Sequence, residues 1–444
     1  MKLLKKLLKV VGLLVLILFI GLGFVLYPLL RGATGYSAKM LCSGVFVEGM
    51  SQQQVEQMEL TAFPFNNVVN VVDEETKTVK SSIFGLVSQT ATYADGVGAT
   101  LFPKGNSSIN ERLSLPRSKF DTLPWPQGSV LVDNIPQGVD VEGLRQFIDQ
   151  QFEETSRAVV VVKDGQIIEE KYAEGINEFT PLLGWSMTKT ITAALTGILV
   201  KEGKLDINDA ADIEAWQNDE RSEITLNNLL QMSSGLAWNE DYSKTQLTDV
   251  SQMLYVESDM YAYAISPEAA VKPDSIWKYS SGTTNIISGI LRSCFNNYND
   301  YYQFPQKALF NKLGMQHSYI ETDATGTFVG SSYGYCSARD WARFGMLYLN
   351  KGNWMGEQLL PDWWVDYSTR PARASNGKYG AQLWLNASQI HMPDMPADVY
   401  FLNGYRGQRV AVMPSKNMVV VCLNSKAEEI DYNWYLNQMM TYVD

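Results

Sequence analysis

Gly184-Trp185-Ser186-Met187-Thr188-Lys189 runs directly into Thr190-Ile191-Thr192-Ala193-Ala194-Leu195-Thr196-Gly197-Ile198-Leu199. Ile191, Leu195, Ile198 and Leu199 recur at i, i+4, i+7 and i+8, the pattern of an amphipathic helix that opens at Ser186 and reaches Gly203. Residues three apart share a helix face, so Lys189 is expected beside the Ser186 hydroxyl, and a helix N-terminus favours negative charge developing there. The spacing alone is common, because Ser275 to Lys278 and Ser375 to Lys378 repeat it. Those copies sit beside Pro273 and in a Ser375-Asn376-Gly377 loop, where no helix holds the pair. Read by spacing only, Ser186 is equally well a capping serine followed by a surface lysine.

Outward from this helix, Val141, Leu144, Phe147, Ile148 and Phe152 keep helical spacing. Ala158 to Val162 and Gln166 to Tyr172 flank the turn Lys163-Asp164-Gly165 as a β-hairpin. From Ser186 to about Gly345 the pattern is mostly helical. Strand-like runs return at Tyr400 to Leu402, Arg409 to Met413 and Met418 to Leu423, and a last helix begins near Ile430. Strands on both sides of a helical middle imply an α/β sheet with a helical insertion. Before the hairpin, Val68 to Val72, Thr78 to Ser82 and Gln89 to Tyr93 read as a small β-rich unit. A linker rich in Pro, Ser and Gly follows, from Pro103 to Gly128.

At the amino end, Lys2, Lys5, Lys6 and Lys9 precede an uncharged run from Val10 to Leu30, about the 20 residues that span a bilayer core. It is longer than the apolar region of a cleaved signal and carries no small-residue cleavage site before Tyr27, Pro28 and Arg31. An uncleaved signal anchor is expected, its lysines cytoplasmic and the rest of the chain extracytoplasmic. The division expected is therefore anchor (1–35), β-rich segment and linker (36–130), and main domain (131–444).

The chain of 444 residues is 45% hydrophobic and 11% aromatic, too apolar to be disordered. With 36 Lys+Arg against 48 Asp+Glu the net charge is -12, which excludes nucleic acid as an expected partner. Cys42, Cys294, Cys336 and Cys422 are scattered, and His317 and His391 are the only histidines, so neither a metal site nor chemistry built on several imidazoles is expected. A second serine candidate exists in Gly330-Ser331-Ser332-Tyr333-Gly334, a G-x-S-x-G that His391 with Asp362 or Asp366 would complete. It lacks the buried strand that such an elbow needs before it, and a Gly/Ser turn ahead of a helix at Ala338 to Leu349 is the better reading. Glu223-Ile224-Thr225-Leu226-Asn227 reads as the core face of a helix ending before Ser233-Ser234-Gly235.

From about Phe147 to Asn424 the chain resembles the serine hydrolases related to class C β-lactamases and penicillin-binding proteins, especially the 6-aminohexanoate-dimer hydrolase branch. The segments that carry the resemblance occur in order: Gly184 to Lys189, Lys201-Glu202-Gly203-Lys204-Leu205-Asp206, Leu229 to Leu236, Tyr279-Ser280-Ser281-Gly282, Ser337 to Gly345, and Gly404-Tyr405-Arg406-Gly407-Gln408. The resemblance implies an α/β (α+β) β-lactamase/transpeptidase-like fold. In it a central antiparallel sheet is flanked by helices with a helical subdomain, here preceded by the transmembrane helix and the β-rich segment. It further implies Ser186 as nucleophile, Lys189 as its proton partner, Tyr279 as general acid/base, and the backbone N–H groups of Ser186 and Gln408 as an oxyanion hole. No metal or organic cofactor is implied.

The chemistry is coherent on its own terms, because a serine hydroxyl needs a base and, with histidine nearly absent, lysine and tyrosine are at hand. A cationic Lys189 is expected to lower the Tyr279 pKa. Two departures from the family pattern argue against β-lactam turnover: Tyr279-Ser280-Ser281 lacks the motif's Asn, and Tyr405-Arg406-Gly407 lacks its Lys and Thr. Arg406 is expected to grip a substrate carboxylate, with Ser281 and Gly407 near it and Trp238 and Tyr242 walling the pocket. The expected activity is hydrolysis of a small amide or ester at a membrane-anchored site. The alternatives are a D-Ala carboxypeptidase or β-lactamase acting on cell-wall-type substrates, and a catalytically silent penicillin-binding-like envelope protein.

Overall fold

The structure, a computed structural model, describes residues 2–103, 122–132, 134–241, 247–426 and 430–443; for residues 2–5, 7–8, 10–22 and 24–25 it describes the backbone alone. Helix α1 (Lys2–Phe46) is followed by α2 (Gln52–Glu59) and by an antiparallel sheet in the order β1-β2-β3-β4, formed by Val69–Asp73, Thr78–Ile83, Val87–Ala94 and Gly98–Phe102. Three of these strands are the expected ones, and β4 completes the sheet. The expected span from Val10 to Leu30 falls largely on side chains outside the described residues, among which no helix is long and apolar enough to cross a membrane.

A finding unforeseen in the sequence is that α1 continues past Arg31 into the protein interior. Ala38, Leu41 and Cys42 are buried against Val79, Ala91 and Leu101 of the sheet. The stretch is rich in Gly, Ala and Ser, which reads as loop but here permits close approach. A Cβ on Gly35 would stand 2.1 Å from the Tyr255 carbonyl oxygen, and one on Gly44 2.5 Å from Val55 Cγ2. Lys39, 0% exposed, is ion-paired with the equally buried Glu321. Tyr36, Met40, Leu60 and Trp125 belong to the same apolar core as the helices around Ser186, so that core crosses the expected boundary near residue 130. Trp125, in the expected linker, lies under the Arg343 guanidinium at 4.5 Å and donates to the Gly165 carbonyl at 2.8 Å.

The main sheet has six strands. After α3 (Val141–Gln151) come β5 (Ser156–Lys163) and β6 (Gln166–Tyr172), the expected hairpin, with Asp164 and Gly165 both at positive φ in its turn. The short strand β7 (Leu182–Leu183) leads into a 3₁₀ turn, Trp185–Met187, and then α4 (Thr188–Lys201). Helices α5 (Leu226–Leu230), α6 (Asp249–Tyr255), α7 (Met260–Ala264), α8 (Ser281–Ser293), α9 (Tyr298–Pro305) and α10 (Asn311–Leu313) make the helical layer. The strands β8 (Ser318–Ile320) and β9 (Gly334–Cys336) pair with β7 in the order β7-β9-β8. Next are α11 (Ala338–Leu349), the small hairpin β10 (Asn353–Trp354) and β11 (Glu357–Gln358), and α12 (Trp364–Ser368). The chain closes with β12 (Trp384–Leu385), β13 (Tyr400–Gly404), β14 (Gln408–Met413), β15 (Met418–Asn424) and α13 (Tyr432–Met440).

The order β12-β13-β14-β15-β5-β6 is antiparallel throughout, and β15 joins the carboxyl end of the chain to β5. Runs such as Val159-Val160-Val161-Val162 and Val419-Val420-Val421 are buried on both faces: α11 and the helical layer cover one face, α3 and α13 the other. All four cysteines are free thiols.

Candidate active site

Ser186 lies in the 3₁₀ turn at the mouth of α4, where Gly184 leaves the room that the turn requires: a Cβ there would meet the Trp341 ring at 2.2 Å. One turn on, Lys189 is 1% exposed and its Nζ is 2.9 Å from Ser186 Oγ, 3.0 Å from Ser281 Oγ and 2.9 Å from the Ser331 carbonyl oxygen. Ser281 begins α8, whose cap is Ser280, and its hydroxyl donates to Glu240 Oε1 at 2.7 Å while its backbone N–H donates to Glu240 Oε2 at 2.7 Å. Trp238 Nε1 also donates to Glu240 Oε2, at 2.8 Å. A chain of contacts thus runs from Ser186 through Lys189 and Ser281 to Glu240.

Tyr279 completes the group. Ser186 lies near enough to favour its phenolate, and Lys189 Nζ lies 4.8 Å from its ring centroid. Tyr379 and Trp384 hold the ring at centroid distances of 6.0 and 5.4 Å. Burial lowers the Lys189 pKa to about 8, against a smaller opposing pull from Glu240. Burial raises that of Tyr279 well above its ordinary value, with Tyr379 and Glu240 adding to the rise. The expected lowering of Tyr279 by a cationic Lys189 is not found: desolvation of the phenolate dominates, and Tyr379 and Glu240 push the same way. A neutral Lys189 fits its surroundings. Lys189 Nζ donates to Ser186 Oγ, Ser281 Oγ and the Ser331 carbonyl oxygen; once it loses a proton, two N–H groups serve the last two and the lone pair can take the Ser186 proton.

A cavity of about 320 Å³ opens on Ser186. Ser281, Ser332, Leu254, Tyr255 and Tyr405 line it together with Met58, Glu59, Ala62 and Phe65 of the amino-terminal segment. Arg406, expected to offer its guanidinium to a substrate, is instead ion-paired with Glu59 and donates to Tyr36 Oη and the Ser425 carbonyl oxygen, both at 3.1 Å. Trp238 does not line this cavity: it is buried beneath α8, within 2.6 Å of where a Gly282 Cβ would lie, and it anchors Glu240. Tyr242 lies outside the described residues. Gly407 adopts φ +75° and its carbonyl accepts from Asn424 Nδ2 at 2.9 Å. Gln408 is buried at the start of β14, its side chain clamped by the Asn424 backbone.

Glu240 and Glu59 were missed from the sequence. The first is one of two acids in an ordinary polar loop, and the second ends a surface-like helix. The rival serine is not supported. Ser332 precedes β9 rather than following a strand, Asp366 pairs with Lys351, and His391 packs on Trp384 at 5.7 Å. Leu226, Leu229 and Leu230 are buried in α5, as expected of a core helix. No cluster able to hold a metal ion occurs among the described residues.

The family model described as Beta-lactamase matches residues 144–437, more than half of the chain. The chain belongs to the beta-lactamase family. It is a serine hydrolase of that superfamily, whose relatives include a 6-aminohexanoate-dimer hydrolase of Paenarthrobacter ureafaciens, 22% identical over 315 residues that cover 65% of this chain and 77% of the relative. A solved Bacillus anthracis structure, provisionally named 6-aminohexanoate-dimer hydrolase, is 25% identical with a TM-score of 0.57, over 67% of this chain and 80% of its own. The fold is shared with a penicillin binding protein from Bacillus halodurans, at TM-score 0.51 and 15% identity over 67% of this chain and 99% of that one. In each case the match covers about two thirds of this chain.

Proposed function

We propose that this beta-lactamase-family protein hydrolyses a small amide or ester through an acyl-enzyme on Ser186, with Lys189 as proton acceptor and Tyr279 as proton relay. The observation that carries the reading is the buried amine 2.9 Å from Ser186 Oγ, its other two polar neighbours placed to receive N–H bonds. Ser186 Oγ attacks the carbonyl carbon as its proton passes to Lys189 Nζ. The oxyanion is received by the backbone N–H groups of Ser186 and Gln408, a type of contact worth about 3 to 4 kcal/mol of barrier. The proton then passes by way of Tyr279 to the leaving amine or alcohol as the C–N or C–O bond breaks, and water reverses the sequence to release the acid. The relatives named as 6-aminohexanoate-dimer hydrolases support an amide or ester in preference to a β-lactam.

The apolar run from Val10 to Leu30, with its flanking lysines, supports a membrane-anchored protein whose residues 131–444 form the hydrolase and whose residues 36–130 are built onto it. Intact-mass spectrometry after incubation with a fluorophosphonate tests the chemistry. One adduct is expected on the wild type and none on Ser186→Ala, with a p-nitrophenyl ester turned over by the first only. An adduct on another serine, or turnover retained by Ser186→Ala, overturns the assignment.

A further inference from the structure

The cavity on Ser186 has a wall that the beta-lactamase-family match, which begins at residue 144, does not include. Tyr36 comes from α1, Met58 and Glu59 from α2, and Ala62 and Phe65 from the segment that follows. This wall is apolar apart from Glu59, Thr61 and the Tyr36 hydroxyl, and among the described residues that line the cavity Glu59 and Arg406 are the only charged ones. They neutralise one another. Glu59 takes the Arg406 guanidinium through Oε1 and accepts the Tyr36 hydroxyl through Oε2 at 2.5 Å, while Arg406 also donates to Tyr36 Oη and to the Ser425 carbonyl. The side chains of Arg406 and Glu59 are 12% and 14% exposed. Arg406 is fixed at the backbone as well, at φ +63° immediately before Gly407 at φ +75°.

From this we infer that residues 36–65 form the acyl-binding wall of the Ser186 site, and that Glu59, by occupying Arg406, selects uncharged apolar acyl groups against those ending in a carboxylate. The inference rests on the reading of Ser186 as the nucleophile. A carboxylate entering the cavity gains Arg406 only by displacing Glu59, which is then left without its cation at a mostly buried position. An alkyl acyl group displaces nothing and covers Met58, Ala62, Phe65 and Leu254. The acidic residue is thus a lock on the one basic group among the described residues that line the pocket.

The test uses two alkyl fluorophosphonates of equal length, one ending in a methyl group and one in a carboxylate. The rate of Ser186 adduct formation is followed by intact mass on the full chain in detergent. Wild type is expected to react at least tenfold faster with the methyl-ended probe. Glu59→Gln, which keeps size and the Tyr36 hydrogen bond, is expected to cut that preference at least tenfold by freeing Arg406. Glu59→Gln with Arg406→Met is expected to restore the preference. Equal labelling of wild type by both probes, or an unchanged preference in Glu59→Gln, overturns the inference and leaves the nucleophile standing. No adduct on Ser186 with either probe overturns the nucleophile and the inference with it.

Discussion

Lys189 sits where an amine holds its proton weakly. Its pKa near 8 comes chiefly from burial, and Glu240, reached through Ser281, pulls the other way. The lowered value makes the neutral, proton-accepting form dominant above about pH 8, so kcat/KM for a neutral ester is expected to rise with pH through that value. Lys189→Met should lose this limb together with at least about two orders of magnitude in rate. Glu240→Gln removes the one contribution that favours the ammonium, so the rising limb is expected to move to lower pH; a limb that stays in place would show that Glu240 does not act on Lys189. Ser186, Lys189 and Tyr279 were legible because two share one helical turn and the third lies in a short motif. Glu240 was not, since it acts through Ser281, and nothing in a linear chain marks a carboxylate that meets a lysine only through a third residue.

Among the elements, α11 shows how closely helix and sheet approach. Gly345 faces β14 and β15, and a Cβ there would stand 2.7 Å from Val419 Cγ1 and 2.9 Å from Val410 Cγ1. Alanine improves helix propensity by up to about 1 kcal/mol, but branched, stiff neighbours cannot yield cheaply, and overpacking costs about 1 to 3 kcal/mol. Gly345→Ala is therefore expected to lower the unfolding midpoint in urea, and a raised midpoint would contradict this packing. The inner part of α1 makes a different kind of contact. Lys39 and Ser43 hold Glu321, which also accepts from the Ala99 N–H at 2.6 Å. Lys39→Met leaves that carboxylate buried without a cation, so a loss of about 3 to 5 kcal/mol is expected, and Lys39→Met with Glu321→Gln should recover part of it in thermal denaturation. The hairpin at Asp164-Gly165 and the limits of α11 were readable because turn residues and apolar period are local signals. The inner half of α1 was not: its small residues have meaning only against Val55, Gln89 and Tyr255, which the sequence scatters.

For the whole molecule, the shared core means that the amino-terminal segment is structural as well as selective. A chain beginning at Leu29 keeps Tyr36, Met40 and Lys39 in place and is expected to melt as the full chain does. A chain beginning at Val47 removes them and orphans Glu321, so a cooperative transition should be absent; its persistence would show that the beta-lactamase-family domain folds unaided. Helix α3, the hairpin, α11, the three last long strands and the closing helix were legible because each carries its own periodicity or turn, whereas the short strands β7 to β12 are too brief to leave a period. That one core also takes in Tyr36, Leu60 and Trp125 was not legible, because long-range packing leaves no periodic trace. The pairing of Glu59 with Arg406 joins residues 347 positions apart. In a chain made from its amino end, Glu59 emerges with the apolar wall, 347 residues ahead of the arginine that it holds. A copy that stops between Lys189 and Arg406 therefore carries Ser186, Lys189 and the apolar wall without the arginine that Glu59 holds.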